Sequence, residues 1–108
     1  PVDVAIYPLL KKDGLPELAL DVKKKLDHSL VIEYDESGSI GRRYLRAAEI
    51  GTAYCVTVDH QSKEDGSVTV RDRDSEKQIR VNIDMLEATL QKLLHREIMF
   101  ENAGEIIS

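Results

Sequence analysis

The apolar residues of this 108-residue chain switch several times between the alternate-residue spacing of a strand and the spacing of about 3.6 residues that marks a helix. A chain patterned in this way reads as an α/β domain, because each period commits its segment to a different way of presenting one apolar side. Val4 to Leu10 is nearly all apolar, as a central strand covered on both faces requires, and Pro8 should end its regular pairing. Lys11 to Gly14 makes a polar loop. Pro16 suits a helical first turn, and Leu15, Leu18, Ala19, Val22 and Leu26 then recur at helical spacing to about His28. Leu30 to Tyr34 is short and rich in β-formers, so it completes a βαβ unit.

After the turn Asp35 to Ser39, the residues Ile40, Tyr44, Leu45 and Ala48 predict a short helix over 40–50 with those four facing inward. Gly51 is placed to end it in the left-handed conformation. Thr52 to Asp59 reads as a third strand, Gln61 to Gly66 as a polar turn, and Ser67 to Arg71 as a fourth strand pairing with the third. A charged turn over 71–76 leads to Gln78 to Asn82, an edge-like fifth strand. Met85, Leu86, Leu90, Leu93 and Leu94 then mark a core-packing helix from about Asp84 to Arg96. Glu97 to Ser108 is acidic and weakly patterned, with Ile98, Met99 and Phe100 available to dock on the body.

This length suits a single domain over 1–108, since such a chain can bury roughly two-thirds of its unfolded surface around one core. Cys55 is the only cysteine and sits in an apolar run, where a thiol is more often a small buried hydrophobe than a nucleophile. With no leader and no apolar stretch of about 18 residues, the expected setting is the reducing cytoplasm, without a membrane role. The net charge of −5 argues against indiscriminate coating of nucleic acid. Any anion-binding surface must be local, and one candidate exists: Arg42, Arg43 and Arg46 give Ser37–Arg46 a charge of +3, between acidic segments.

That candidate, Ser37-Gly38-Ser39-Ile40-Gly41-Arg42-Arg43-Tyr44, joins two glycines, two capping hydroxyls and an arginine pair at a helix start. Exposed N–H groups and guanidinium donors there can hold a phosphate. The plainer reading is a strand-to-helix turn whose arginines are simply solvated. The second candidate, Arg71-Asp72-Arg73-Asp74, alternates donors and acceptors at a strand end and so can read both kinds of group on a base edge. Cytosine fits this pattern, its amine donating to a carboxylate and its ring nitrogen and carbonyl accepting from a guanidinium. The plainer alternative is an Arg and Asp ladder at a hairpin end, worth only about 0 to 1 kcal/mol per exposed pair.

Together, "SGSIGRRYLRAAEI" and "SVTVRDRDSEKQIR" closely resemble the anticodon-binding domain of class II aminoacyl-tRNA synthetases, nearest to the glycyl enzymes of archaeal and eukaryotic type. The resemblance runs over nearly the whole chain. It implies a three-layer α/β/α domain with a five-stranded mixed sheet and three helices, the C-terminal part of a longer synthetase. It also implies that Arg71, Asp72, Arg73 and Asp74 contact anticodon bases and that Arg42 and Arg43 help position the loop. Tyr7, Tyr34, Tyr44 and Tyr54 read as packing residues, with Tyr44, next to the arginine pair, able to stack on a base if exposed. The implied partners are the anticodon loop of glycine tRNA and the parent's catalytic domain. The class II catalytic motifs are missing from the sequence, so ATP and magnesium belong to that domain and no cofactor is expected in this one.

Other classes draw less support. His28, His60 and His95 lack metal-site spacing, and no nucleophile-elbow motif is present. An accessory or regulatory protein using the same fold for protein contacts, such as a polymerase processivity subunit, is the alternative; a small enzyme with an anion site at Gly38 to Arg43 is a third.

Overall fold

The computed structural model describes all residues from Pro1 to Ser108. The chain runs β1 (Val4–Pro8), α1 (Leu15–Leu26), β2 (Ile32–Tyr34), α2 (Ile40–Glu49), β3 (Tyr54–Val58), α3 (His60–Asp65), β4 (Ser67–Asp72), β5 (Gln78–Asn82), α4 (Ile83–Leu94), a 3-10 turn (Phe100–Asn102) and β6 (Glu105–Ile106). All strands join one sheet in the order β2-β1-β3-β4-β5-β6. The pairs β1–β2 and β1–β3 are parallel, and the remaining three are antiparallel.

Strand alternation sorts the sheet into two unlike faces. Val4, Ile6, Val56, Val58, Val68, Val70, Ile79 and Val81 point to one side, where they form the main core with Leu15, Ala19, Val22 and Leu26 of α1 and Leu86, Leu90 and Leu93 of α4. Burying each large aliphatic side chain there contributes about 1.5–3 kcal/mol. Ala5, Tyr7 and Cys55 point to the opposite side and pack with Ala47, Ile40 and Tyr44 of α2. The sheet is thus the middle of three layers.

The structure departs from the sequence reading in four places. The sheet has six strands and the fold four helices, not five and three. The segment read as a polar turn is α3, which carries no apolar residue to signal it. Asp59 caps α3 by accepting from the Ser62 N–H at 3.1 Å while Ser62 Oγ accepts from the Asp59 N–H, and Gly66 ends it at φ 71. Strand β5 is not an edge, since β6 pairs Ile106 with Ile79 and Glu105 with Arg80. Helix α2 is also rotated from its predicted phase: Arg43 and Ala47 are buried, while Leu45 is 59% exposed.

Phe100 docks on the body as expected, with its ring stacked on Tyr54 at a centroid distance of 6.2 Å. Gly104 then lets β6 approach β5, because a Cβ there would lie 2.7 Å from the Arg80 carbonyl oxygen and 3.0 Å from Val81 Cγ2. Replacing Gly104 with Ala should therefore cost about 1–3 kcal/mol through overpacking. Urea denaturation measures this, and an unchanged midpoint would mean that β6 is not held against β5.

Candidate nucleic-acid interface

Helix α2 is fixed to the sheet by a buried arginine. Arg43 is 3% exposed, and its guanidinium donates to the carbonyls of Pro8 at 2.6 Å, Leu9 at 3.2 Å and Asp35 at 3.3 Å. It also lies 5.3 Å from the centroid of the Tyr7 ring, and the Tyr7 hydroxyl donates to the Arg43 carbonyl at 2.9 Å. Burial, and then the neighbouring Cys55, push the Tyr7 phenol far above its ordinary range, so it remains a neutral donor. Arg43 Nε is buried without a partner. This geometry turns the Arg43 donors into the protein, so any part it has in positioning an RNA loop runs through the placement of α2.

The other two arginines of the segment differ. Arg46 donates to Asp35 Oδ2 at 2.7 Å and to the Ser37 carbonyl at 2.6 Å, which closes the loop before α2. Burial raises the Asp35 carboxyl, but the Ser37 N–H and Arg46 outweigh it, and the net shift is downward. Arg42 is exposed on the first turn, where its N–H donates to the Ser39 cap at 3.3 Å. Of the three, it alone presents its guanidinium to solvent rather than to a bond within the protein.

The charged bend between β4 and β5 is exposed from Arg73 to Lys77 and is built by its own side chains. Asp72 Oδ2 accepts from the Ser75 hydroxyl at 2.7 Å and the Ser75 N–H at 3.2 Å. The Glu76 N–H donates back to the Asp72 carbonyl at 2.9 Å, and Glu76 holds φ 61. Arg73 donates from Nη1 to the Gly51 carbonyl and from Nε to Asp74 Oδ1, both at 3.0 Å. The bend is thereby tied to Gly51, two residues past the end of α2.

Between α2 and this bend lies a groove of about 450 Å³, lined among others by Gly41, Tyr44, Leu45, Arg71, Arg73 and Glu76. Its volume falls within the range of about 300–1,000 Å³ usual for small-ligand sites. The Arg71 guanidinium lies 4.6 Å from the Tyr44 ring centroid, and Tyr44 is held from behind by a 3.0 Å hydrogen bond to Thr57 Oγ1. Arg71 Nη2 also donates to Glu76 Oε2 at 3.0 Å. An aromatic ring, a guanidinium plane, a second arginine and a carboxylate thus share one opening.

Of the residues singled out from sequence, Tyr44, Arg71 and Arg73 meet in the groove. Asp72 serves the turn beside it, Asp74 lies exposed outside its lining, Arg42 stands at the start of α2 and Arg43 is internal. Glu76 was missed. Its approach to Arg71 depends on the left-handed turn residue, which sequence spacing does not reveal.

A mixed sheet with one closed apolar face and, on the other, a charged groove beside α2 defines a three-layer α/β domain. Residues 3–93 match the family described as "Anticodon binding domain", and the chain belongs to that family. It is 51% identical over 85 residues to a glycine–tRNA ligase of Methanococcus maripaludis, covering 78% of this chain and 15% of that protein. It is 49% identical over 105 residues to the glycine–tRNA ligase of Methanothrix thermoacetophila, covering 96% of this chain and 18% of that protein. The chain therefore spans less than a fifth of the curated relatives it matches. Among solved structures, a prolyl-tRNA synthetase from Cryptosporidium parvum superposes with a TM-score of 0.81 at 23% identity, over 89% of this chain and 21% of that one. A histidyl-tRNA synthetase from Nostoc does so with 0.80 at 21% identity, over 87% and 23%. At these identities the likeness shows the shared fold.

The two adjacent arginines should separate cleanly in a stability measurement. Arg43→Met should lower unfolding free energy by about 3 kcal/mol, because it strips a charged donor from three carbonyls. Arg42→Ala should stay within about 0.5 kcal/mol of the parent. Equal denaturation curves for the two variants would contradict the structural role of Arg43.

Proposed function

We propose that this chain is the anticodon-recognition domain of a glycine–tRNA ligase and that it binds the anticodon loop of glycine tRNA through the groove between α2 and the β4–β5 bend. The observation that carries this reading is the convergence of Tyr44, Arg71 and Arg73 on one opening, from segments that lie far apart in sequence. Relatives close to half identical over most of the chain carry the glycine–tRNA ligase name, which supports the choice of tRNA. Glycine anticodons end in two cytosines, and each offers an amine beside two acceptors, the complement of a carboxylate next to guanidinium donors.

Recognition on this reading divides into stacking and edge contacts. Arg71 is already stacked on Tyr44, which restricts its guanidinium plane and leaves its edge for base acceptors. Arg73, two residues further along the same bend, adds donors, while Arg42 supplies a charge for the phosphate backbone at the start of α2. The catalytic domain of the parent enzyme would hold ATP and magnesium and join glycine to the tRNA. That enzyme would work in the cytoplasm.

Titrating the chain, at one low salt concentration, with a glycine anticodon stem-loop and with a version in which both cytosines are replaced tests the proposal. The natural loop should bind at least about tenfold more tightly. Equal affinities would reject base reading. Arg71→Ala should cost about 1–3 kcal/mol of binding and blur the preference, whereas Arg42→Ala should weaken both loops alike.

A further inference from the structure

We propose that Glu76 is the residue that separates cytosine from uracil at one anticodon position, an inference that rests on the anticodon-reading function above. The sequence offers three carboxylates at the bend, and their surroundings sort them. Asp72 engages Oδ2 with the N–H and hydroxyl of Ser75 and so builds the turn. Asp74 is 78% exposed, pairs with Arg73 Nε and lies outside the groove lining. Glu76 lines the groove, and its Oε2 meets Arg71 Nη2 at 3.0 Å.

This contact sets an acceptor beside a donor. Arg71 is 23% exposed and stacked on Tyr44, so the pair is displayed from a restrained platform rather than from two free side chains. A guanidinium has five N–H donors, so Arg71 keeps its bond to Glu76 while offering others to a base. Cytosine presents an amine next to an accepting ring nitrogen, which matches Glu76 followed by Arg71. Uracil presents a carbonyl and then a donating N–H, the reverse order, and sets lone pairs against the carboxylate.

The backbone carries the same message. Glu76 sits at φ 61, a left-handed conformation that glycine adopts freely and a longer side chain adopts at a cost. The turn is closed by main-chain bonds, Glu76 N–H to the Asp72 carbonyl at 2.9 Å and Asp72 N–H to the Lys77 carbonyl at 3.0 Å, and neither needs the Glu76 side chain. With that side chain 74% exposed, folding gives little reason for a carboxylate at this position. Its placement in the groove supplies one.

The experiment measures binding of stem-loops carrying cytosine or uracil at each of the last two anticodon positions, for the parent chain, Glu76→Gln, Glu76→Gly and, as a remote control, the exposed α3 variant Glu64→Gln. Removing the carboxylate should lower the cytosine-to-uracil ratio at one position by about tenfold and leave the other position's ratio intact. Thermal midpoints should be unchanged, since Gln keeps the shape and Gly suits the backbone. Glu64→Gln should behave as the parent. If the parent discriminates at both positions and both Glu76 variants do so equally well, Glu76 is not the reader and anticodon reading itself stands. If the parent shows no preference at either position, anticodon reading falls and the role of Glu76 falls with it.

Discussion

The guanidinium of Arg43 holds the functional side of this fold in place. A buried charge needs partners, and Arg43 finds them in the carbonyls of Pro8, Leu9 and Asp35 rather than in a carboxylate. Those carbonyls belong to the ends of β1 and β2 and the residues just after them, where the chain leaves the sheet with acceptors to spare. One side chain therefore ties a helix to two parallel strands. The Tyr7 hydroxyl closes the circuit by donating to the Arg43 carbonyl, and Ala47 packs one turn further along. With α2 set in this way, Tyr44 has a fixed position from which to meet Thr57 and Arg71.

The two faces of the sheet divide the work. On the α1 and α4 side, valines and isoleucines alternate inward across β1, β3, β4 and β5 and build the cohesive core. On the α2 side, the matching positions of β4 and β5 include Ser67, Thr69, Arg71 and Arg80. Arg80 pairs with Asp59 at 2.6 Å and donates to Ser67 Oγ at 3.0 Å, so it serves the structure. Arg71, nearer the bend, opens toward the groove. Strand alternation thus separates the main apolar core from the face that carries the groove.

Much of this was legible in the sequence because it rests on apolar periodicity. The valine alternation of β4 and the leucine spacing of α4 announced themselves, and the likeness of the two charged segments to an anticodon-binding domain pointed to the right family. Elements without an apolar period were harder to see: α3 has no apolar residue and is held by a capping pair and a glycine, and β6 is only two residues long and rests on a close backbone approach at Gly104. The adjacent Arg42 and Arg43 look alike in sequence, and only helical phase separates them. Positions 40, 43, 44 and 47 fall on one side of α2, which puts Arg43 among Ile40, Tyr44 and Ala47. Glu76 gave no such sign, since its approach to Arg71 arises from a turn conformation.

The bond from Arg73 to the Gly51 carbonyl gives the groove a chemical character of its own. Its arginines reach an encounter already engaged, Arg73 with Gly51 and Asp74, Arg71 with Glu76. On the anticodon-reading proposal, association is an exchange reaction, in which an incoming group displaces an internal acceptor or shares its donor. A bare anion gains little from such a trade, while a planar ligand with donors and acceptors in the right order recovers every contact it breaks. A surface can in this way be rich in arginine and still ignore most polyanions.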